Sequence, residues 1–402
     1  MNKYKKENKI TDALVYIIII VTLFMTAPLI YRMASHYNLN SPAALNEGEN
    51  PGERISRIRR RYTVAPPIQV DISELRNTEH GRLNLIAAQI TDSGHVIMFC
   101  NSPSEYHERA GSATRIAVWD GDNINIFPRI LRSGFGESIA AGNHVFKDYS
   151  DGTVFISNNR VAFLFDYNEL RYVEHFMLPE HFNIYQAVLS NDKSMLAIAA
   201  EEGFFVVDTY PMDSPLKELI ASSSAAGVLV TARQPFWSSN DDFIFYKNFA
   251  DEHIRNAGMT TVAPGWNEQL TALDGANFIF LKNDIIFYYF SSGSAPHQQN
   301  LFRCGYFDPF GDRRMQDIMR SQVYYFDIAV SPHGTLLAAL SHNGNMVRLV
   351  IIDIRTKQQI YSGIYDAIYN FSFSPNERNF IIHGRSERAE VLNVIKIDWE
   401  EE

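Results

Sequence analysis

The chain has 402 residues, 46% of them apolar and 20% charged, which excludes a disordered protein and allows either one large all-β domain or two ordinary domains. The net charge of −10 conceals an asymmetry, because residues 1–61 hold ten basic and five acidic side chains while the remaining 341 residues carry −15. An acidic body lacks the basic surface that phosphate contacts require, so we expect no nucleic-acid partner.

Aromatic residues make up 13% of the chain, which favours strands over helices. There are only two cysteines, Cys100 and Cys304, so a disulfide framework is excluded and two buried free thiols are expected. Low cysteine use suits either the cytoplasm or an exported domain built without disulfides.

The N-terminal region predicts a membrane anchor. Residues 1–12 form a polar tail with four lysines, and residues 13–31 are 19 uncharged positions. A helix of that length spans ~28 Å, about one hydrocarbon core, so we predict a transmembrane signal anchor. The alternatives are a cleaved signal peptide, for which no good cleavage site is present, and a buried helix.

The distribution of basic residues predicts the orientation of this anchor. Four lysines precede the span, and only Arg32 lies within about 20 residues after it. The N-terminus should therefore be cytoplasmic and the body extracytoplasmic, in the periplasm or at the cell surface. A later basic run, RISRIRRR at residues 54–61, acts in the opposite direction.

Residues 32–65 are predicted to form a linker, polar at first and basic at its end. Three interpretations of the basic run remain open: a solvated stretch, a strap on the acidic body, or contact with anionic lipid headgroups, worth roughly 1 kcal/mol per basic residue. The candidate contact residues are Arg54, Arg57, Arg59, Arg60 and Arg61.

From residue 66 onward, short apolar runs that end in Asp recur along the chain. The markers fall at positions 120, 166, 208, 266, 308, 353 and 398, where 266 is a degenerate member with Trp266. They are 42 to 58 residues apart and mostly near 45, a period that is typical of four-stranded propeller blades. We expect each Asp to accept backbone N–H bonds in the turn that follows, which is a structural role.

A second marker joins the first and second strands of each unit. Examples are Ser331-Pro332-His333-Gly334 and Ser374-Pro375-Asn376-Glu377. These turns resemble the Ser-Pro-Asp-Gly turn of bacterial propellers such as the periplasmic TolB-type domains. More loosely the chain is similar to the WD-repeat family, whose dipeptide it carries as Trp119-Asp120. The Gly-His dipeptide of WD repeats occurs once, at Gly94-His95, and does not recur with the other units, so the resemblance implies a WD-like propeller and is nearly silent on function.

The predicted fold is all-β: a seven-bladed β-propeller at residues 66–402, closed by an N-terminal strand and preceded by a single transmembrane helix. The unit is clearest at Tyr325–Tyr361, where four short apolar runs alternate with turns. The seventh unit lacks its fourth strand. Residues Ile68–Ile72 can supply that strand and so remove the open edges of the ring.

Long connections are expected on one face of the disc. Within blades they are Asn101–Arg115, Asn248–Gly265 and Ser291–Asn300. Because a rigid frame commonly carries function on long loops, we expect a protein partner on this long-loop face. The alternative is variation in loop length without function. The residues assigned to the partner face are Tyr106, Glu108, Glu252 and Trp266.

The three long loops each carry a histidine: His107, His253 and His297. Convergence of these side chains could bind zinc or act in acid–base catalysis, but solvated loop residues are the favoured interpretation. The segment Asp120–Asn125 begins like a calcium loop, yet Ile124 occupies the third ligand position, so a hairpin turn is favoured. No nucleophile, zinc-protease or phosphate-loop motif is present, and we predict neither a catalytic residue nor a cofactor.

The sequence therefore favours a membrane-anchored, non-catalytic propeller that acts as a protein-interaction scaffold or as an assembly subunit of an envelope complex. Two alternatives stay open. One is an exported hydrolase or lyase acting on glycan or peptide, and the other is a module that binds a small ligand or a polysaccharide.

Overall fold

The computed structural model describes residues 60–107, 111–131, 144–210, 215–221, 223–225, 228–250, 253–262, 266–291 and 302–401. Strands dominate these residues, accompanied by two short 3-10 helices, Ile72–Arg76 and Thr271–Leu273. In this part of the chain, no helix is long and apolar enough to cross a membrane. The span predicted at residues 13–31 lies outside the described residues.

The first half of the chain forms two short strands followed by three four-stranded sheets. The short strands are β1 (Arg60–Val64) and β2 (Ile68–Val70). The first sheet contains β3 (Asn84–Ile90), β4 (Val96–His107), β5 (Gly111–Trp119) and β6 (Ile124–Ile126). The second contains β7 (Val145–Asp148), β8 (Thr153–Ser157), β9 (Ala162–Asp166) and β10 (Arg171–Phe176). The third contains β11 (Ile184–Leu189), β12 (Met195–Ala200), β13 (Gly203–Asp208) and β14 (Lys217–Ala221).

The second half forms four further sheets. The fourth contains β15 (Ser223–Ala225), β16 (Val228–Trp237), β17 (Phe243–Ala250), β18 (His253–Thr261) and β19 (Asn267–Leu270). The fifth contains β20 (Asn277–Phe280), β21 (Ile286–Ser291), β22 (Phe302–Phe307) and β23 (Gln316–Ser321). The sixth contains β24 (Asp327–Val330), β25 (Leu336–Asn343), β26 (Met346–Asp353) and β27 (Gln358–Tyr365). The seventh contains β28 (Ala367–Phe373), β29 (Asn379–Ser386) and β30 (Ala389–Glu401), joined by β1 and β2.

These seven antiparallel sheets are the blades of a propeller, so the predicted seven-bladed, all-β fold is confirmed. The innermost strands together line one central channel. The turn between the first two strands of every blade lies at one end of the channel, on what we call the turn face. The hairpins between second and third strands, and the connections between blades, lie on the opposite side, the hairpin face.

The N-terminal strands complete blade seven. β1 pairs with the end of β30, with Arg60 opposite Glu401, and β2 pairs with its middle, with Val70 opposite Leu392. The outer edge of the blade is therefore filled by two short strands, and pairing begins inside the segment 32–65 that was expected to be a linker. Because β30 runs towards the turn face, the chain enters the propeller and leaves it on that face.

Buried apolar side chains pack between neighbouring blades, which is where the core of a propeller lies. Between blades four and five the ring of Phe280 stacks on Phe236 and Phe245, with centroids 5.7 and 5.5 Å apart. Cys100 and Cys304 are both buried and free, as predicted. Burial raises the pKa of each thiol, so both act as apolar core residues.

Three of the aspartates that close third strands organise the turns that follow them, whereas Asp208 pairs with Lys217. Asp120 accepts hydrogen bonds from the backbone N–H groups two and three residues ahead, at 3.0 and 2.8 Å. Asp166 and Asp353 make the same contacts, which confirms the predicted structural role at these positions. Asp398 differs because β30 continues past it to pair with β1.

On the turn face, three acidic residues take the turn position that glycine occupies in a Ser-Pro-Asp-Gly turn. Asp241, Asp284 and Glu377 have φ of 60°, 61° and 63°. This left-handed conformation costs a residue with a side chain about 1 kcal/mol. Asp241 compensates, since its carboxylate accepts the N–H groups of Asn191 and Asp192 in the preceding blade at 2.8 and 2.9 Å.

The same device recurs around the ring and forms a belt of hydrogen bonds between blades. Asp284 accepts the Ser239 N–H at 2.7 Å, and Glu377 accepts the His333 N–H at 2.8 Å. The remaining blade junctions use other contacts. These are Asp92 N–H to Asp148, Lys193 Nζ to Asp151, Lys282 N–H to the Pro332 carbonyl, and Asn376 Nδ2 to the Asp92 carbonyl.

Glu377 also connects this belt to the N-terminal strand. Its side chain is fully buried, and Arg60 of β1 donates a hydrogen bond to its Oε2. The Arg60 guanidinium lies 3.7 Å from the ring centroid of Trp399. Burial acts to raise the pKa of the Glu377 carboxyl. Hydrogen bonds that His333 donates to the carboxylate, and the electrostatic attraction between the two side chains, outweigh burial and lower the pKa to about 2.

Because of the belt, we predict that the protein is less stable with glycine than with aspartate at position 241, although the positive φ of this residue favours glycine. Asp241→Gly relieves strain but removes three hydrogen bonds to a charged acceptor, from the Asn191 N–H, the Asn191 side-chain amide and the Asp192 N–H, so we expect the free energy of unfolding to fall by about 2 kcal/mol. Denaturant unfolding measures the difference. The matched control is Lys357→Gly, at an exposed residue with φ of 60° whose side chain accepts no such bonds. It should change stability by less than about 1 kcal/mol, and equal losses in both variants would contradict the role of the belt.

The closing ion pair predicts a strong, pH-dependent effect at position 377. Glu377→Gln leaves Arg60 without its charge partner and removes the carboxylate that accepts the His333 N–H and whose pKa is lowered by His333, and we expect a loss of about 3 kcal/mol at pH 7. Because the folded pKa of about 2 lies below the ordinary value of 4.5, this contribution is complete above pH 4.5 and lost as pH falls towards 2. The gap between wild type and variant should therefore close over that range.

The control for this prediction is a half-exposed ion pair. Glu268→Gln removes the partner of Arg313, and we expect it to reduce stability by less than about 1 kcal/mol. A gap at position 377 that stays constant from pH 7 to pH 2.5 would show that the carboxylate charge does not hold the ring closed.

Candidate functional site

Blade one projects from the hairpin face as an extended hairpin. The connection predicted as a loop at residues 101–115 is mostly strand, since β4 continues to His107 and β5 begins at Gly111 opposite it. Pairing satisfies backbone groups that an irregular loop would leave exposed. Tyr106 and His107 therefore lie in the projecting end of β4.

Blade four projects in a similar way. β17 continues to Ala250 and β18 begins opposite it at His253. On the channel side, β15 pairs with the start of β16, so Ser223–Ala225 add an inner strand to this extension. The expected long loop at 248–265 is therefore wrong for most of its length, because its backbone pairs as a hairpin.

Trp266 was assigned to the partner face, and the structure corrects this. It lies between β18 and β19, where a third strand has already run from the hairpin face to the turn face. Its ring packs edge-on against Phe243 with centroids 5.9 Å apart, and its carbonyl accepts the Thr260 hydroxyl at 2.7 Å. Trp266 is thus a turn residue on the face opposite the two long hairpins.

Of the three predicted histidines, the two whose backbone is described lie in different blades. His107 and His253 belong to blades one and four, which are separated by two blades. Among the described residues, no three His, Cys, Asp or Glu side chains are placed to hold a metal ion. Within the basic run, Arg60 binds Glu377 and Arg61 is exposed on β1. The predicted residues Arg54, Arg57, Arg59, Glu108, Glu252 and His297 lie outside the described residues.

The hairpin face carries a group of exposed apolar side chains that the sequence analysis missed. They come from the connection between blades five and six, the end of the fourth strand of blade six and the first strand of blade seven. Their exposed fractions lie between 38% and 55%. We call this group the apolar rim: Val323, Phe326, Ile364 and Tyr369.

Two aromatic rings of the apolar rim are held in place by neighbouring histidines. Phe326 stacks on His342 with ring centroids 4.6 Å apart and planes inclined by 27°. Tyr369 meets His383 edge-on at 5.2 Å, and His383 Nε2 lies 3.0 Å from Glu390. The rim therefore exposes apolar side chains of which two are held by neighbouring rings, and exposed apolar surface commonly marks protein-interaction sites.

The channel contains a second candidate site at its turn-face end, a cavity of about 510 Å³. Residues from the innermost strands or first turns of all seven blades contribute to its wall. Several are aromatic, among them Phe146, Phe236, Trp237, Phe280 and Phe373.

Three charged side chains also line this cavity: Lys147, Asp148 and Lys282. Burial lowers the pKa of Lys147 to about 8; Asp241 opposes this shift and Lys282 adds to it. Burial raises the pKa of Asp148, although hydrogen bonds from the Asp92 and Ser150 N–H groups act against the rise. The cavity is therefore partly desolvated at Lys147, and the positive charges of Lys147 and Lys282 lie close enough to repel each other.

Comparison with solved structures identifies the same fold in other proteins. The chain is similar to an oligogalacturonate lyase in complex with manganese, at 9% identity and a TM-score of 0.56, over 85% of this chain and 98% of that one. It is similar to an oligogalacturonate lyase from Vibrio parahaemolyticus, at 10% identity and a TM-score of 0.56, over 84% and 97% of the two chains. TolB from Acinetobacter baumannii matches at 12% identity and a TM-score of 0.41, over 76% and 66%.

No protein-family model matches the chain, and a search of curated proteins finds no match. Identities near 10% show a shared β-propeller fold and do not transfer an activity. The chain thus shares the β-propeller fold of the two lyases.

Proposed function

We propose that this chain is a membrane-anchored propeller that acts as a non-catalytic interaction platform, an assembly subunit of an envelope complex. The apolar rim is the observation that carries this proposal. Its four side chains lie on the hairpin face from the connection after blade five to blade seven, and they are exposed although most large apolar residues of the described ranges are buried. A protein partner with a complementary apolar surface would remove them from water, at about 25 cal/mol per Å² of apolar area.

The course of the chain supports an orientation for this platform. The described chain begins at Arg60 on the turn face, where Glu377 binds it, and the rim lies on the opposite face. The orientation of the proposed anchor rests on the four lysines that precede residues 13–31. In this proposal the N-terminus is cytoplasmic and the propeller extracytoplasmic.

The platform predicts loss of a partner when the rim becomes charged. The double variant Ile364→Lys/Tyr369→Lys places two cations on the apolar rim, and we expect at least a tenfold decrease in the co-purifying partner. The full chain is extracted in a mild detergent, purified by affinity, and the bound proteins are quantified by mass spectrometry. The matched control is Val173→Lys, an exposed apolar residue on outer strand β10. A wild-type chain that purifies alone, or equal partner recovery in both variants, would refute the platform.

The orientation predicts which residues a membrane-impermeant maleimide reaches. Both natural cysteines are buried, so introduced cysteines are the reactive ones. We expect Tyr210→Cys, at a residue with 88% exposure, to be labelled in intact spheroplasts of the expressing bacterium. Asn8→Cys, in the N-terminal tail, should be labelled only after permeabilisation. The reverse pattern would place the propeller in the cytoplasm.

A further inference from the structure

The turn-face end of the channel is a formed cavity, independent of the apolar rim. Its volume of about 510 Å³ falls within the range of roughly 300 to 1,000 Å³ that is typical of small-molecule sites. Every blade contributes to the wall, so the shape of the cavity is set by closure of the ring. Aromatic rings such as Phe146, Phe280 and Phe373 make most of that wall apolar.

Two ammonium groups reach this cavity with hydrogen-bonding capacity to spare. Lys147 Nζ donates to the Leu189 carbonyl at 2.8 Å, and Lys282 Nζ donates to the Pro375 carbonyl at 3.4 Å. Each ammonium carries three donors, so each retains two after these contacts. Within the described chain, neither lysine forms an ion pair with a carboxylate.

The acidic group of the wall is already engaged elsewhere. Asp148 Oδ2 accepts the Asp92 N–H at 2.6 Å, and Oδ1 accepts the Ser150 N–H at 2.9 Å. Its carboxylate therefore belongs to the belt between blades one and two, and it interacts with Lys282 electrostatically without forming an ion pair. Cations in a partly desolvated cavity are unfavourable unless a counter-charge approaches them.

We propose that the channel binds a small organic anion: a molecule with one carboxylate or phosphate group for Lys147 and Lys282, and an aromatic or aliphatic body for the surrounding rings. The anionic group takes up the free ammonium donors through charge-assisted hydrogen bonds. The body of the ligand packs against the aromatic side chains. Binding at this site is separate from partner binding at the rim.

Calorimetric titration of the full chain in a non-ionic detergent tests the proposal with 2-naphthoate as the probe and uncharged 2-naphthamide as its isostere. We expect 2-naphthoate to bind at least tenfold more tightly than the amide. Lys282→Met and Lys147→Met should each weaken naphthoate at least tenfold and leave the amide unchanged. Lys282 is exposed, so its variant keeps the test valid if Lys147→Met fails to fold.

A second lysine that lies outside the cavity provides the control. Lys247 is also largely desolvated, lies 5.2 Å from the Phe278 ring centroid and does not line the channel wall. Lys247→Met should bind 2-naphthoate like the wild type. Titration with 2-naphthyl phosphate then distinguishes a phosphate ligand from a carboxylate ligand by which of the two anions binds more tightly. Absence of binding by both anions, or equal affinity for 2-naphthoate and the amide, would overturn the proposal.

Discussion

Pairing between the two ends of the chain is the constraint on which the ring depends. Each blade buries its apolar faces only against its neighbours, so an open seventh blade would expose two interfaces at once. β1 and β2 prevent this by covering β30, and the Arg60–Glu377 pair fixes their position. A slip of one residue would turn every side chain of β1 to the other face and remove Arg60 from its partner. The buried ion pair thus specifies register as well as contributing stability.

The two faces of the disc differ: the turn face is tied by hydrogen bonds between blades, and the hairpin face carries exposed apolar side chains. On the turn face, three acidic residues adopt a left-handed backbone, and their carboxylates accept hydrogen bonds from the preceding blade: Asp241, Asp284 and Glu377. Hydrogen bonds of the belt connect the blades at every junction. Towards the hairpin face, described contacts between blades include the Ser157 hydroxyl to the Ala187 carbonyl and the Ser291 hydroxyl to the Tyr325 carbonyl, and the strands extend further in blades one and four. A rigid end that encloses a cavity suits a ligand of fixed shape, whereas an exposed end suits a protein partner.

Local chemistry explains which features were predictable. Asp120, Asp166 and Asp353 bind their own turns, so the repeat could be read from the residues themselves. The long hairpins depend on cross-strand partners, and a run of polar residues such as that at 101–115 does not reveal its pairing. The apolar rim and the channel depend on which side chains the ring leaves uncovered or brings together. Val323 and Tyr369 lie 46 residues apart, and the channel wall draws on all seven blades, so neither site forms a local motif.

Entry of the chain on the turn face has a mechanical consequence. The hydrogen bonds between β1 and β30 are perpendicular to both strands. A pulling force that is applied through the residues before Arg60 and directed away from the turn face therefore acts along β1. It places the hydrogen bonds between β1 and β30 under shear. All of them must yield together, whereas a sideways pull would open them one after another. The Arg60–Glu377 pair lies at the loaded end, so a propeller tethered at this point resists extraction of its own closing strand.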